Sequence, residues 1–194
     1  MDGAFILHLI RHAPTKGNGL KQYVGWTDEE IVPFDGKKNT AVQQVWGSDL
    51  ARCRQTAAIL FPNAIYHADP NFRECHFGDW ELKTYEELKD VQNYRDWIDN
   101  PAELAPPGGE SLTAVMKRVD DAVRCLPEGN EFYIVAHGGP IRYLLAKGSG
   151  LPFWRQTADH GHCYTLVWQS REAFEEGAPC TSCSVEPLMA NANM

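Results

Sequence analysis

Two histidines in this chain each follow an apolar run with the composition of a buried strand. Residues 5–10 lead into Arg11-His12, and residues 131–136 lead into His137, which is followed by two glycines. The carboxyl ends of parallel strands meet at one edge of a sheet, in the crevice where ligands bind. An imidazole that is neutral near pH 7 can act there as a nucleophile or an acid–base group. We therefore expect the chemistry at this edge.

Three further polar segments interrupt the apolar pattern. They are Ser48–Ala57, which opens a predicted helix, Phe72–Glu81, which lies in a predicted loop, and Pro106–Ser111, which precedes a helix. Each segment alone has a simpler explanation as a solvated loop or a helix cap. Their order along the chain, together with the two histidines, makes a set that can be compared with known patterns.

The composition predicts one globular domain over residues 1–194. Of these residues, 43% are hydrophobic and 23% are charged, which is typical of a soluble protein with one core. The formal net charge of −8 argues against binding of nucleic acid, which needs an extended basic surface. Any site for an anion must therefore be local.

The order of predicted elements indicates an α/β fold with three α/β/α layers and a mostly parallel central sheet. The pattern predicts strands over 5–10, 42–46, 64–66, 131–136 and 163–168, and helices over 50–60, 111–126 and 140–147. Ser111 is an N-cap residue type at the start of the clearest helix. The stretches from 11 to about 41 and from 101 to 109 are predicted loops.

The six cysteines are predicted to be reduced thiols in a cytoplasmic protein. No N-terminal segment has the pattern of an export signal, and no apolar run approaches the roughly 20 residues of a membrane span. Cys180 and Cys183 lack the second Cys-x-x-Cys of a structural zinc site, so we predict no metal. They lie in a tail that, from about residue 175, is predicted to be poorly ordered.

The ordered set of segments resembles the histidine phosphatase superfamily, in its phosphoglycerate mutase-like branch. The resemblance runs from Leu9 to about Val167 and implies a phosphoglycerate mutase-like fold. The family pattern begins Arg-His-Gly, whereas this chain has Ala13 after His12. Alanine restricts the backbone more than glycine does, so the turn at this position is expected to differ slightly.

The resemblance also implies roles for individual residues. It implies that His12 accepts the phosphoryl group, that Glu74 protonates the leaving oxygen, and that Arg11, Arg52, His137 and Asn18 bind the phosphoryl oxygens. Forked guanidinium donors suit a phosphoryl group because its charge spreads over the equatorial oxygens during transfer. Arg54 is the alternative to Arg52, and Asp79 and Glu81 are the alternatives to Glu74.

Other positions are candidate substrate contacts, and one stretch departs from the family. The candidate contacts are Thr15, Tyr23, Trp26 and Gly138. Family members usually carry a full helix before the second strand, but here Gly36 and Ser48 are only twelve positions apart. We therefore predict a missing or reduced first helix. The less covered sheet face would give either a more open site or a contact surface for a homodimer.

The resemblance implies a metal-independent phosphomonoesterase that acts on a small-molecule phosphomonoester without a cofactor. Glu74 and Gly108 are close in sequence, whereas family mutases carry an insertion there, so a phosphatase is favoured. The loop around Glu74 is most similar to phosphatases of α-ribazole 5′-phosphate and to broad-specificity relatives. The alternatives are a phosphoglycerate mutase-type phosphotransferase, a non-catalytic phospho-ligand binding module, and a thiol or metal protein centred on Cys180 and Cys183.

Overall fold

One six-stranded sheet is assembled from segments spread along the chain in this computed structural model, which describes residues 3–188. The strands are β1 (Phe5–Arg11), β2 (Gln44–Gly47), β3 (Ile65–Ala68), β4 (Glu131–Ala136), β5 (His162–Trp168) and β6 (Ser182–Pro187). Their spatial order is β3-β2-β4-β1-β5-β6. The first four in this order are parallel, while β5 is antiparallel to β1 and β6 is antiparallel to β5. The prediction of a mostly parallel sheet is confirmed.

Helices cover both faces of this sheet. They are α1 (Lys16–Gly19), α2 (Ala51–Leu60), α3 (Tyr85–Leu88), α4 (Gln92–Asp99), α5 (Leu112–Arg124), α6 (Gly138–Ser149) and α7 (Arg171–Glu175). Helices α5 and α6 pack in the larger core on one face, and α2 packs in a smaller core on the other. The three predicted helices therefore exist, with bounds shifted by one or two residues.

Strand β1 is central and contributes to both cores. The alternation of a strand sends Phe5, Leu7 and Leu9 into the core beneath α5 and α6, and Ile10 into the core beneath α2. All four side chains are fully buried. The end of β1, where Arg11 and His12 lie, is therefore held by packing on both sides.

The first helix is reduced, as the sequence predicts. After the single turn of α1, residues 20–43 contain no helix before β2 begins. His8 on this side of β1 is bonded to Thr165 at 2.9 Å and Glu131 at 2.8 Å, and its ring stacks on Tyr133. Polar side chains thus form the surface of a part of the sheet that no helix covers.

The prediction for the C-terminal tail is wrong for residues 182–187. These residues form β6, which pairs with β5 from His162 opposite Pro187 to Val167 opposite Ser182. All six side chains of β6 are exposed, so the segment has no alternating apolar pattern by which to recognise a strand. Residues 189–194 of the predicted tail lie outside the described residues.

Candidate active site

The two histidines lie side by side at the carboxyl edge of the parallel strands. Strands β1 and β4 pair in a register that sets Arg11 opposite Ala136, and the His12 amide donates to the Ala136 carbonyl at 3.0 Å. The next residue on each strand is therefore a histidine, His12 and His137. Their ring centroids are 4.9 Å apart.

His12 has a defined tautomer and a suppressed charge. Its Nδ1 lies 2.7 Å from the Ala13 carbonyl oxygen, which can only accept, so Nδ1 carries the hydrogen and Nε2 carries the lone pair. The side chain is buried, and burial, reinforced by the positive charge of Arg52 and by His160, lowers the pKa of His12 well below the ordinary 6.5. Nε2 is therefore available as a nucleophile at neutral pH.

The first turn of α2 supplies a buried guanidinium. Arg52 donates from Nη1 to the Thr27 carbonyl at 2.8 Å, from Nη2 to the Gly25 carbonyl at 2.6 Å, and from Nε to His137 Nδ1 at 3.2 Å. Arg54, the alternative from the sequence, is exposed and donates to a backbone carbonyl on the outside of the helix. The structure therefore places Arg52, and not Arg54, beside the two histidines.

His137 is held neutral in the same way as His12. It is fully buried at the residue before α6, and burial followed by the charge of Arg52 lowers its pKa well below 6.5. Since Nδ1 accepts from Arg52, the ring hydrogen lies on Nε2, which is 3.5 Å from the Cys53 sulfur. The two arginines therefore carry the positive charge beside these rings.

Arg11 has a buried side-chain donor, Nε, that lacks an acceptor among the described residues. Its Nη1 donates to the Ala158 carbonyl at 2.5 Å, but Nε is buried and has no hydrogen-bond partner among the described residues. Burial lowers the pKa of Arg11 below its ordinary range, while nearby Glu74 acts in the opposite direction. Buried donors of folded proteins are nearly always paired, so an unpaired cationic donor indicates a site for an anionic ligand.

Glu74 is the carboxylate with the strongest electrostatic effect on Arg11. We call the space bordered by Arg11, His12, Arg52 and His137 the anion pocket. The first turn of α6 fixes the Glu74 side chain, because the Gly139 amide donates to both of its oxygens at 3.1 and 3.2 Å. A Cβ atom on Gly139 would lie 2.3 Å from Glu74 Oε1, so the side chain can adopt this position only beside glycine. The alternative Asp79 is exposed at the surface.

Glu81, the other alternative, has a structural position instead. It accepts hydrogen bonds from the amides of Gly25, Trp26, Thr27 and Phe77, and from the Thr27 hydroxyl. Burial alone would raise the pKa of Glu81, but these hydrogen bonds hold it below the ordinary 4.5. The segment 25–27 that it fixes is the one whose carbonyls hold Arg52.

Two of the remaining predicted residues cap a helix. Thr15 and Asn18 form a capping box at the start of α1, and the Thr15 hydroxyl also donates to Glu29 at 2.6 Å. The hydroxyl of Thr15 is buried and occupied by these bonds. The structure therefore gives Thr15 and Asn18 a local role in shaping the loop after His12.

The other candidate contacts are Tyr23 and Gly138, which line a cavity, and Trp26, which does not. Tyr23 and Gly138 line a cavity next to Arg11 and Glu74. Trp26 instead donates from its indole to the Glu74 carbonyl at 2.9 Å. Trp26 therefore positions the loop that carries the carboxylate.

Sequence reasoning missed His160 as part of this site. Its ring centroid is 5.1 Å from that of His12, and its Nδ1 donates to the His12 carbonyl at 2.8 Å. Burial and the charge of Arg11 lower the pKa of His160 to about 4. The available signal was its place before β5, since the amino end of an antiparallel strand lies at the same edge as the carboxyl ends of its parallel neighbours.

The structure contains neither a metal-type cluster nor a membrane-spanning helix in residues 3–188. No three histidine, cysteine, aspartate or glutamate side chains in this range are arranged to hold a metal ion. No helix in the same range combines the length and the apolar character that crossing a bilayer requires.

Comparisons with known sequences match this chain to one family. A model of the histidine phosphatase superfamily (branch 1) matches residues 7–175. An adenosylcobalamin/alpha-ribazole phosphatase of Salmonella typhimurium is 26% identical over 180 residues, which cover 83% of this chain and 89% of the relative. A protein of Escherichia fergusonii named "Probable phosphoglycerate mutase GpmB" is 26% identical over 166 residues, covering 77% of each chain.

Solved structures share the fold over nearly the whole chain. The alpha-ribazole phosphatase of Shigella flexneri superposes with a TM-score of 0.73, covering 96% of each chain at 24% identity. TTHB049 of Thermus thermophilus gives a TM-score of 0.72, covering 96% of this chain and all of that one at 26% identity. The sheet order and the helix layers described above are therefore a known architecture.

Proposed function

Because the chain belongs to branch 1 of the histidine phosphatase superfamily, we propose that it is a metal-independent phosphomonoesterase acting through a phosphohistidine intermediate. Its proposed substrate is a small phosphorylated metabolite, with α-ribazole 5′-phosphate as a candidate because a relative with 26% identity carries that name. The observation that carries the proposal is the buried, neutral His12 with its lone pair on Nε2, next in the chain to Arg11, whose charge acts on it and whose buried Nε has no partner among the described residues. A reducing compartment such as the cytoplasm fits the six free thiols.

In the first step, His12 Nε2 attacks phosphorus and the bond from phosphorus to the ester oxygen breaks. Arg11 and Arg52 stabilise the charge on the phosphoryl oxygens, which is the largest demand of this reaction. Glu74, as a carboxylic acid, gives its proton to the leaving oxygen, so that an alcohol departs rather than an alkoxide. The imidazole ring becomes cationic, and the Ala13 carbonyl that accepts from Nδ1 stabilises this charge.

In the second step, a water molecule attacks the phosphoryl group on His12. The Glu74 carboxylate formed in the first step accepts a proton from this water, and the phosphorus–nitrogen bond breaks. The electron pair returns to Nε2, inorganic phosphate leaves, and both His12 and Glu74 regain their starting states. Neither step needs a metal ion or an organic cofactor.

The test is hydrolysis of 4-nitrophenyl phosphate in the presence of a chelator, with trapping of the phosphoenzyme by a denaturing quench at alkaline pH. We expect turnover that survives chelation and a phosphorylated chain that is stable to alkali and labile to acid. His12→Ala should abolish both signals, and His67→Ala is the matched control because His67 lies on β3, away from the pocket. Turnover that persists in His12→Ala would overturn the phosphohistidine proposal.

A mutase-type phosphotransferase is the second candidate, because the matching GpmB protein is named as a phosphoglycerate mutase. This activity would share the first step but pass the phosphoryl group to a second hydroxyl instead of water. Incubation with 3-phosphoglycerate distinguishes the two, since a mutase gives an isomeric phosphoglycerate and a phosphatase gives free phosphate. Binding of phosphate without either product would indicate a non-catalytic phospho-ligand module.

A further inference from the structure

A cavity of about 390 Å³ shares Arg11 with the anion pocket. Glu74, Gly138 and Gly139 also belong to its lining, so the cavity borders both the proton donor and one phosphate-binding arginine of the proposed function. A volume of this order accommodates a small-molecule ligand. The lining residues beyond the phosphoryl group therefore determine which alcohol the site accepts.

An interlocked set of aromatic rings forms part of the cavity lining. Tyr23 and Phe77 have centroids 4.9 Å apart, and Trp97 of α4 lies 6.1 Å from Tyr23 and 6.2 Å from Phe77. The Tyr23 hydroxyl is bonded to the hydroxyl of buried Tyr94. Rings held in this way offer a preformed apolar surface, so a ligand that packs on them loses little to reorganisation.

A second apolar group lines the cavity and stays uncovered. Phe153 and Trp154 lie in one short helical turn with their ring centroids 4.8 Å apart. Trp154 is 61% exposed and Ile98 of α4 is 43% exposed, although both line the cavity. Exposed aromatic and aliphatic side chains gathered at a cavity indicate a surface that a ligand covers.

The cavity lining has few groups that could bind a second negative charge on the ligand. Beyond Arg11, the described lining contains one further cation, Arg142. Its Nε donates to the Gln156 carbonyl at 3.0 Å and its Nη2 points to the Phe153 carbonyl at 3.4 Å, while its guanidinium lies 4.3 Å from the Phe153 ring centroid. Two of the three guanidinium nitrogens of Arg142 thus hold the turn, and the Glu74 side chain in the same lining disfavours a carboxylate or a second phosphate.

From this combination we infer that the site selects phosphomonoesters whose alcohol carries an uncharged planar aromatic group, in preference to phosphosugars without such a group, phosphoglycerates and bisphosphates. The inference rests on the proposed function for the position of the phosphoryl group. The aromatic group packs among Tyr23, Trp97 and Trp154, and the phosphoryl group lies against Arg11.

The first experiment measures binding without turnover. Calorimetric titration of the full chain compares 2-naphthylmethylphosphonate, cyclohexylmethylphosphonate and methylphosphonate. These compounds cannot transfer their phosphoryl group, because phosphorus is bonded to carbon and not to an ester oxygen. We expect the naphthyl compound to bind at least about tenfold more tightly than the methyl compound, because the ring moves from water to an aromatic surface. The cyclohexyl compound should fall between them, since it is apolar but not planar.

Variants locate this preference in the cavity. Trp154→Ala should reduce the naphthyl-to-methyl affinity ratio several-fold, since it removes an exposed lining ring. Leu151→Ala is the matched control, because Leu151 is 50% exposed and close to the same turn but does not line the cavity. An unchanged ratio in Trp154→Ala, or an equal fall in both variants, would overturn the inference.

The second experiment measures turnover of esters with alkyl leaving groups. The values of kcat/KM for benzyl phosphate are compared with those for glycerol 1-phosphate and 3-phosphoglycerate, and we expect benzyl phosphate to be preferred at least about tenfold. Hydrolysis of all three at equal rates, with equal phosphonate affinities, would overturn the aromatic preference and leave the phosphatase function standing. Tight binding of the naphthyl phosphonate without hydrolysis of any ester would instead overturn the phosphatase function and support the cavity inference.

Discussion

At the scale of single residues, the proposed nucleophile His12 is oriented by backbone carbonyls and not by a carboxylate. His12 donates to the Ala13 carbonyl, and its own carbonyl accepts from His160. A backbone carbonyl cannot take a proton, so it fixes the tautomer without competing for the charge. The reactivity of His12 therefore depends on burial and on the arginines around it.

The choice between Arg52 and Arg54 can be tested by matched substitutions. Arg52→Lys should lower kcat/KM by about 10²–10³, because an ammonium group cannot reproduce the fork that donates to His137 and to segment 25–27 and that is proposed to bind the phosphoryl oxygens. Arg54→Lys should leave kcat/KM within a factor of about two, since Arg54 is exposed. Steady-state hydrolysis of 4-nitrophenyl phosphate measures both, and equal losses would contradict the assignment of Arg52.

The contact between Gly139 and Glu74 gives a prediction about the proton donor. Gly139→Ala puts a Cβ atom where the carboxylate now lies, so Glu74 must move away from the leaving oxygen. We expect kcat/KM to fall by about 10² for benzyl phosphate, whose alkoxide needs a proton, and by much less for 4-nitrophenyl phosphate, whose phenolate does not. Glu74→Gln should show the same dependence on leaving group, whereas equal losses for both substrates would argue against Glu74 as the acid.

At the scale of elements, segment 25–27 connects two loops that the chain places far apart. Glu81 fixes its amides and Arg52 donates to its carbonyls, so the loop after Glu74 and the first turn of α2 share one support. The position of Arg52 and the position of the loop that carries Glu74 therefore depend on each other.

Removing the carboxylate of Glu81 tests this support. Glu81→Ala leaves several amides without their acceptor and should cost about 1–3 kcal/mol of the free energy of unfolding, measured with urea. It should also lower kcat/KM, because Arg52 loses its fixed partners. Asp79→Ala is the control, since Asp79 is exposed on the same loop, and comparable effects of the two variants would contradict the supporting role of Glu81.

Strands with their own apolar pattern were predictable from the sequence, and elements defined by a partner were not. Residues 131–136 are β4 as predicted, and β1 differs from its predicted range by one residue. Strand β6 has only exposed side chains, so its identity depends on pairing with β5. The single turn of α1 has a local signal in the sequence, the capping pair of Thr15 and Asn18.

The same distinction applies to the candidate site. The positions of His12 and His137 follow from strand ends, a local feature of the sequence. The place of His160 depends on β5 running antiparallel to β1, and the aromatic lining brings Tyr23 to Trp97 across more than seventy positions. Such contacts are set by tertiary packing, which the pattern of one sequence does not encode locally.

At the scale of the whole molecule, the buried histidines make the fold sensitive to acid. The folded pKa values of His12, His137 and His160 all lie below the ordinary 6.5. Below about pH 6.5 the unfolded chain therefore binds more protons than the folded chain, and stability falls as pH falls. For His160 this loss continues to its folded pKa of about 4.

Urea unfolding at pH 7, 6 and 5 checks this expectation. Each histidine contributes a slope of at most about 1.4 kcal/mol per pH unit below its unfolded pKa, so the free energy of unfolding should drop by several kcal/mol from pH 7 to 5. His160→Gln should show a shallower slope, because one of the three groups no longer titrates. Equal stability at pH 7 and pH 5 would show that these rings are not held neutral by the fold.

The position of β1 in the sheet also has a consequence for biosynthesis. Of the six strands, β1 leaves the ribosome first. Its neighbours in the sheet are β4 and β5, whose pairing residues are translated more than one hundred positions later. Pairing across such separations is slow, since a long loop must close before any contact is gained. On the nascent chain the proposed nucleophile His12 therefore lacks the strand partners of β1, and we expect the proposed phosphoryl transfer to require that residues up to 168 have emerged.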